Sequence, residues 1–373
     1  MSEVIEVEGF VAAGLESVRA AFAANLANGE DVGAAFCATK DGEVVVDLWG
    51  GWADEARTRP WVRETIVNVY STTKTVTALV ALLLADRGEL DFAAPVARYW
   101  PEFAANGKQD VKVSHVMSHS AGLPAWREPM RTEDLYDWEK ATSLLAAQAP
   151  EWEPGTVSGY HAVTQGYLIG EVVRRITGRS LGAVLREEIA GPLGADFHIG
   201  LPASEEGRVA ELIAPPDGPP PELAVTDLQK RVGSNPALAV AQVNSRAWRA
   251  AEIPAGGGTG NARSVAEILA VLANGGRGLM SEAGCRRALE LQVEGRDLVL
   301  TLPLRFGLGF ALGDQIMPNP NTIYWGGYGG SLAIVDLDAR TTFCYVMNKM
   351  GGAVADLRGF GLAMAMWDAA GIM

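Results

Sequence analysis

Ser71-Thr72-Thr73-Lys74 places a hydroxyl and an amine three residues apart, directly ahead of the apolar run Val76 to Leu84. Residues i and i+3 share a helix face, so the Lys74 amine can reach Ser71 Oγ, and a helix N-terminus favours negative charge developing there. Packing the ammonium against an apolar helix lowers its pKa, which lets Lys74 act as a base near neutral pH. Of the seven lysines, Lys74 alone has a serine three residues before it. The same letters also fit an ordinary helix-start serine followed by a solvated lysine.

Two further segments belong beside this pair. Residues 153–162 are rich in turn formers and deliver Tyr160 just ahead of a helix expected from Ala162. A phenol next to a lysine ammonium is pushed toward phenolate, which would make Tyr160 a general base or proton relay for Ser71; the alternative is a buried packing tyrosine. The segment Tyr324-Trp325-Gly326-Gly327-Tyr328-Gly329-Gly330-Ser331 carries four glycines into a strand. Such glycines let a substrate approach the backbone, where an edge-strand amide can serve as an oxyanion donor; a tightly packed or bulged strand would also need them.

Other chemistries find no support. The histidines are His115, His119, His161 and His198, with no HExxH pattern, and the GxSxG match Gly178-Arg179-Ser180-Leu181-Gly182 joins two helix-like stretches and not the strand and helix of a nucleophile elbow. This argues against a zinc peptidase and a Ser-His-Asp elbow. His115 and His119 stand four apart but lack a third ligand, and are read as structural. Gly256 to Gly260 lacks the Lys-Ser/Thr of a phosphate-binding loop. Cys37, Cys285 and Cys344 are scattered, with no CxxC, which fits neither a disulfide framework nor structural zinc. No metal or organic cofactor is expected.

The elements that must position these groups follow from periodicity. Residues 9–28 place Phe10, Leu15, Val18, Phe22 and Leu26 at helical spacing. Two strands flank Asp41-Gly42, a hairpin signal. A long helix runs from Ser71 to about Arg87, ended by Gly88. Residues 92–250 look mostly helical, with stretches at 135–149, 162–177 and 181–189 and a proline-dense crossing from 202 to 254 that includes Pro219-Pro220-Pro221. A helix over 264–274, a strand pair over 333–337 and 341–347, and a last helix from about Val354 to Ala370 complete the chain. The expected architecture is α/β (α+β): one antiparallel sheet built from both termini and flanked by helices, with a mostly helical inserted lobe. Residues 1–90 and 255–373 form the first unit and 91–254 the second, with the site in the cleft between them.

With 373 residues, 48% of them hydrophobic, the chain can bury a large core. A formal charge of −14 and the lack of any basic run argue against nucleic-acid partners. The start bears Glu3, Glu6 and Glu8 without a positive charge, the reverse of a secretory signal, so a cytoplasmic location is expected. The aliphatic stretch Ala78 to Ala85 is eight residues, against about 20 for a membrane span, so no membrane partner is expected.

In ordered motifs the chain resembles the serine β-lactamase and penicillin-binding-protein superfamily, specifically its class C branch and the family VIII carboxylesterases. The motifs are Ser71 to Lys74; Gly88-Glu89-Leu90-Asp91; Val113 to Leu123; Pro154-Gly155 through Tyr160; Gly256 to Gly260; and Trp325-Gly326-Gly327. The resemblance covers roughly residues 10–370 and implies a β-lactamase-like fold. It implies Ser71 as acylated nucleophile, Lys74 and Tyr160 sharing the proton work, and backbone amides of Ser71 and Tyr328 as the oxyanion hole. Gly256 to Gly260 becomes a structural loop near the cleft.

Two departures from the lactamase pattern point to esters. Tyr160-His161-Ala162 replaces Tyr-x-Asn, and Ala162 cannot hydrogen-bond a substrate amide. Trp325 stands where lactamases carry the lysine of Lys-Thr-Gly. Losing a charge-assisted hydrogen bond of roughly 1.5 to 3 kcal/mol costs a carboxylate-bearing substrate about ten- to a hundredfold. The expected function is a short-chain carboxylesterase working through an acyl-enzyme. The alternatives are β-lactamase or D-amino-acid peptidase activity, acyl transfer to an alcohol, or a catalytically silent binding protein. Trp325, Gly326, Gly327, Trp126, Trp152 and His161 are the expected substrate-binding residues, with Tyr328 as a further cleft wall.

Overall fold

The computed structural model describes residues 6–215, 225–313, 317–352 and 356–372. Among them are strands β1 (Val7–Val11), β2 (Gly33–Lys40), β3 (Glu43–Gly51), β4 (Val67–Asn68), β5 (Phe197–His198), β6 (Thr259–Gly260), β7 (Val293–Arg296), β8 (Pro303–Phe306), β9 (Ala311–Leu312), β10 (Thr322–Gly326), β11 (Leu332–Asp336) and β12 (Thr341–Met347). Nine form one antiparallel sheet in the order β1-β3-β2-β12-β11-β10-β9-β8-β7, and β4-β6-β5 form a small second sheet. The two ends of the chain meet in the large sheet, where β2 pairs with β12 and Cys37 lies opposite Cys344. The β2–β3 hairpin turns at Asp41 and Gly42, both left-handed at φ 50° and 84°, as a tight primed turn requires.

Helices cover the sheet and fill the middle of the chain. Helix α1 (Glu16–Ala27) buries Val18, Phe22 and Leu26 and packs against the C-terminal helix Leu357–Ala369. The helix Ala262–Ala273 lies on β2, β11 and β12. Helix α2 (Thr73–Asp86) is buried at every residue from Thr73 to Leu84, the state an all-round apolar helix requires. Gly88, at φ 75°, ends it as expected. Helices α3 (Val113–Met117), α4 (Trp138–Ala147) and α5 (Thr164–Thr177) follow, and α2 packs against α5. In the proline-dense stretch lie short helices at Ala203–Arg208, Asp227–Ser234, Val240–Val243 and Arg246–Ala250. Pro219 to Pro221, and the expected start of the last helix at Val354, lie outside the described residues.

Two expectations are corrected. Residues 9–11 are strand, not helix: Gly9 passes against β3 so closely that a Cβ there would sit 1.9 Å from Asp47 O, and α1 starts only beyond Gly14, at φ 90°. Phe10, counted for the helix face, is exposed on this edge strand. The strands β7 to β9 were not anticipated. They are short, β8 opens with proline, and three of the four β7 residues face solvent, so neither length nor alternation marks them.

Because α2 is buried on all sides, truncating its middle leaves a cavity that no solvent-facing collapse can relieve. Leu82→Ala should lower stability by about 2–5 kcal/mol, read as a lower urea midpoint.

Candidate active site

Ser71 sits in a single 3-10 turn, Tyr70–Thr72, between β4 and α2. Tyr70 takes a left-handed φ of 43°, a conformation costing on the order of 1–3 kcal/mol for a non-glycine residue. Its N–H donates to Asn68 Oδ1 at 3.0 Å, and its carbonyl accepts from the Thr73 hydroxyl. The glycine loop clamps the turn from the other side: Gly258 N donates to Thr73 Oγ1 at 2.9 Å, Val69 N to Gly258 O at 2.9 Å, and Asn68 Nδ2 to Gly256 O at 3.1 Å.

Lys74 is fully enclosed one turn later. Its Nζ lies 3.0 Å from Ser71 Oγ, 2.7 Å from Ala162 O and 2.8 Å from Ala255 O. Carbonyls only accept, so a neutral amine gives its two N–H bonds to them and keeps its lone pair for the Ser71 hydroxyl proton. Burial holds the Lys74 pKa well below 10.5. The spacing of Ser71 and Lys74 thus yields the contact that it suggested. Ala162, whose side chain cannot recognise an amide, contributes its carbonyl instead.

Tyr160 is also buried, and its hydroxyl hydrogen-bonds Ser71. The expected drift toward phenolate is corrected: burial pushes the phenol up to about 12, against the lowering hydrogen bonds from Ser71 and Trp325. Lys74 Nζ lies over the face of the ring, 4.9 Å from its centre, so the ring covers the amine on that side. Trp325, on β10, donates its indole N–H to Tyr160 Oη at 3.2 Å. That bond is not legible in the sequence, where Trp325 reads as a neutral replacement for a lysine and as a substrate-binding aromatic.

The histidines next to this pair are neutral scaffolding. His161 Nδ1–H donates to Gly159 O at 2.6 Å and its Nε2 accepts from Leu123 N at 3.0 Å, a tautomer assigned from these partners. Burial lowers its pKa to about 3. His119 Nδ1 accepts from His161 N at 3.1 Å, and burial likewise holds its pKa well below 6.5. His161 is therefore corrected from a substrate-binding residue to a support of the Tyr160 loop. Trp126 is corrected too: it is fully buried, donates to Ala141 O at 2.9 Å and packs edge-on against Tyr167 in the core. Trp152 is half-buried and braces the same loop, where a Cβ on Gly159 would come within 2.4 Å of its ring.

The glycine-rich segment is stitched to the Ser71 turn. Ser331 Oγ donates to Val69 O at 2.8 Å and shares a hydrogen bond with the Thr72 hydroxyl at 2.9 Å. A Cβ on Gly327 would lie 2.2 Å from Val69 O and 3.2 Å from Ser71 N. Gly326 and Gly327 are half-buried, and Tyr328 is exposed with its ring edge-on to Tyr70. Among the described residues, neither the Ser71 nor the Tyr328 N–H has a backbone acceptor outside regular helix and strand pairing. Two residues went unnoticed in the sequence: Ala255, whose carbonyl holds Lys74, and Asp297, whose Oδ1 accepts from Tyr160 N at 3.1 Å. Nothing in an isolated Asp or Ala marks such a role.

A serine turn, a buried amine and a tyrosine converge here beside an antiparallel sheet, the layout of a β-lactamase-like fold. The family model described as Beta-lactamase matches residues 18–364, and the chain belongs to that family. It is 36% identical over 340 residues to Esterase/beta-lactamase LipL of Mycobacterium tuberculosis, spanning 85% of this chain and 77% of that protein. It is 29% identical over 337 residues to Esterase EstB of Burkholderia gladioli, spanning 82% of this chain and 83% of that protein. A crystal structure of a family VIII carboxylesterase superposes with a TM-score of 0.93 at 43% identity, covering 98% of this chain and all of that one (100%).

Gly327→Ala should force β10 away from the Ser71 turn. We expect kcat for a p-nitrophenyl ester to fall at least about tenfold and the melting temperature to fall with it, since the clash is with backbone, both measured on the purified variant.

Proposed function

We propose that the protein is a carboxylic ester hydrolase working through an acyl-enzyme on Ser71. The observation that carries this reading is the Lys74 amine, enclosed with no carboxylate partner among the described residues and 3.0 Å from Ser71 Oγ. Lys74 takes the hydroxyl proton as Oγ attacks the ester carbonyl. The oxyanion forms between the N–H groups of Ser71 and Tyr328. On collapse the carbonyl–alkoxide bond breaks, and the proton returns to the leaving alcohol through Lys74 and the Tyr160 hydroxyl. Water then repeats the sequence, with the proton route reversed, and releases the acid.

Substrate preference follows from the wall of the site. Trp325 and Tyr160 form an apolar cluster with Val293, Phe306 and Ala311, against which Val299, Leu300, Leu304 and Tyr324 pack. That wall favours neutral acyl groups over carboxylate-bearing ones. The substrate is a small-molecule ester, and short acyl chains belong to the same reading. So does the division of the chain into 1–90 with 255–373, which supplies Ser71, Lys74 and Trp325, and 91–254, which supplies Tyr160. Three buried free cysteines support a reducing compartment, as in the cytoplasm. No described helix is long and apolar enough to cross a membrane.

β-Lactam hydrolysis is a second reading, favoured by the name of the mycobacterial relative. Initial rates on p-nitrophenyl butyrate and on a chromogenic cephalosporin separate the two. We expect fast ester turnover that Ser71→Ala lowers by more than about a thousandfold, with cephalosporin turnover at least about tenfold slower. Comparable cephalosporin turnover would assign the chain to the lactamases.

A further inference from the structure

We propose that Asp297 is a positioning residue for the proton-handling pair, anchoring Tyr160 so that its ring seals the Lys74 amine from water. Asp297 follows β7 and is buried. Its Oδ1 accepts three backbone N–H groups: Tyr160 at 3.1 Å, Val299 at 2.9 Å and Leu300 at 2.8 Å. Leu298 N donates to Ser158 O at 2.9 Å, so the 297–302 loop is tied twice to the segment that carries Tyr160. The loop also closes on itself, with Asp297 N donating to Leu302 O at 3.0 Å and Thr301 N to Asp297 O at 2.9 Å. Val299 and Leu300 pack against the Tyr160–Trp325 cluster from this loop. Asp297 Oδ2 is buried without a hydrogen-bond partner among the described residues. A carboxylate kept this dry is costly, and a loop that only needed to turn could turn in the open.

The physical effect runs through the ring. Lys74 Nζ lies 4.9 Å from the centre of the Tyr160 ring, and burial is what depresses its pKa. Releasing the Tyr160 backbone lets the ring swing and water reach Nζ, which carries the amine back toward its ordinary value. The groups facing the pair are Ser71 ahead of α2, His119 after α3, His161 beside Tyr160, Asp297 after β7 and Trp325 on β10. His119 and His161 are held neutral, so titration of the pair over the working range falls to Lys74.

The proposal rests on Lys74 being the base, and the test keeps the two apart. The pH dependence of kcat/KM for p-nitrophenyl butyrate is measured for wild type, Lys74→Arg, Asp297→Ala and Asp297→Asn, with rates taken per folded molecule. Asp297→Ala should shift the acid limb upward by at least about half a pH unit and lower kcat at neutral pH more than about tenfold, with KM changed less than about threefold. Asp297→Asn retains an acceptor oxygen and should keep the wild-type limb. An Asp297→Ala limb that superposes on wild type overturns the proposal, as does an Asp297→Asn limb displaced equally far, which would place the effect in the charge. Retained activity in Lys74→Arg would instead overturn the functional reading. Should Asp297→Ala not fold, hydrogen exchange of the wild-type protein decides: the Tyr160 amide should be strongly protected, and exchange at open-loop rates would contradict the anchor.

Discussion

Taking a lysine amine out of water among described residues that offer it carbonyls and a hydroxyl but no carboxylate is the constraint around which this fold is built. Burial disfavours a charged ammonium there and favours the free amine, the form that can accept a proton from serine. To hold it, α2 is buried on every side, and two segments distant in sequence each bring a carbonyl to within hydrogen-bond range, Ala162 ahead of α5 and Ala255 ahead of the glycine loop. Thr77 and Thr73 fix the second of these by bonds to Pro254 O and Gly258 N. Sheet, helices and loop thus converge on one nitrogen atom.

The remaining parts of the site are arranged around keeping the proton on the correct group. Burial acts oppositely on the two side chains, favouring the neutral amine of Lys74 and the neutral phenol of Tyr160. Separating two titratable groups in this way is how a site assigns base and proton store. Trp325 serves twice, giving an indole N–H to the phenol oxygen and an apolar face to the cluster with Val293, Phe306 and Ala311. The neutral histidines hold the Tyr160 loop without adding a charge to it.

Much of this was legible in the sequence because the side chains proposed as catalytic lie close together along it or next to strong punctuation. Ser71 and Lys74 are one helical turn apart, and Gly88 ends α2 where the apolar run stops. The Asp41-Gly42 turn and the β11–β12 pair announce the central strands. What was missed depends on tertiary contact. A two-residue strand such as β9 has no periodicity to read, and Phe10 matches a helical stripe although the edge of β3 recruits it. Trp126 and His161 carry the same letters in the core as they would in a cleft, and the backbone carbonyls that hold Lys74 have no letter at all.

The ionisation of Lys74 is measured most directly by the pH dependence of the rate at which a fluorophosphonate labels Ser71, since labelling needs the nucleophile and no deacylation. The rate should climb with pH and level off with a midpoint well below the ordinary lysine value of 10.5. A rate still rising with unit slope through that value would mean that Lys74 is an ordinary ammonium and that Ser71 is activated by something else.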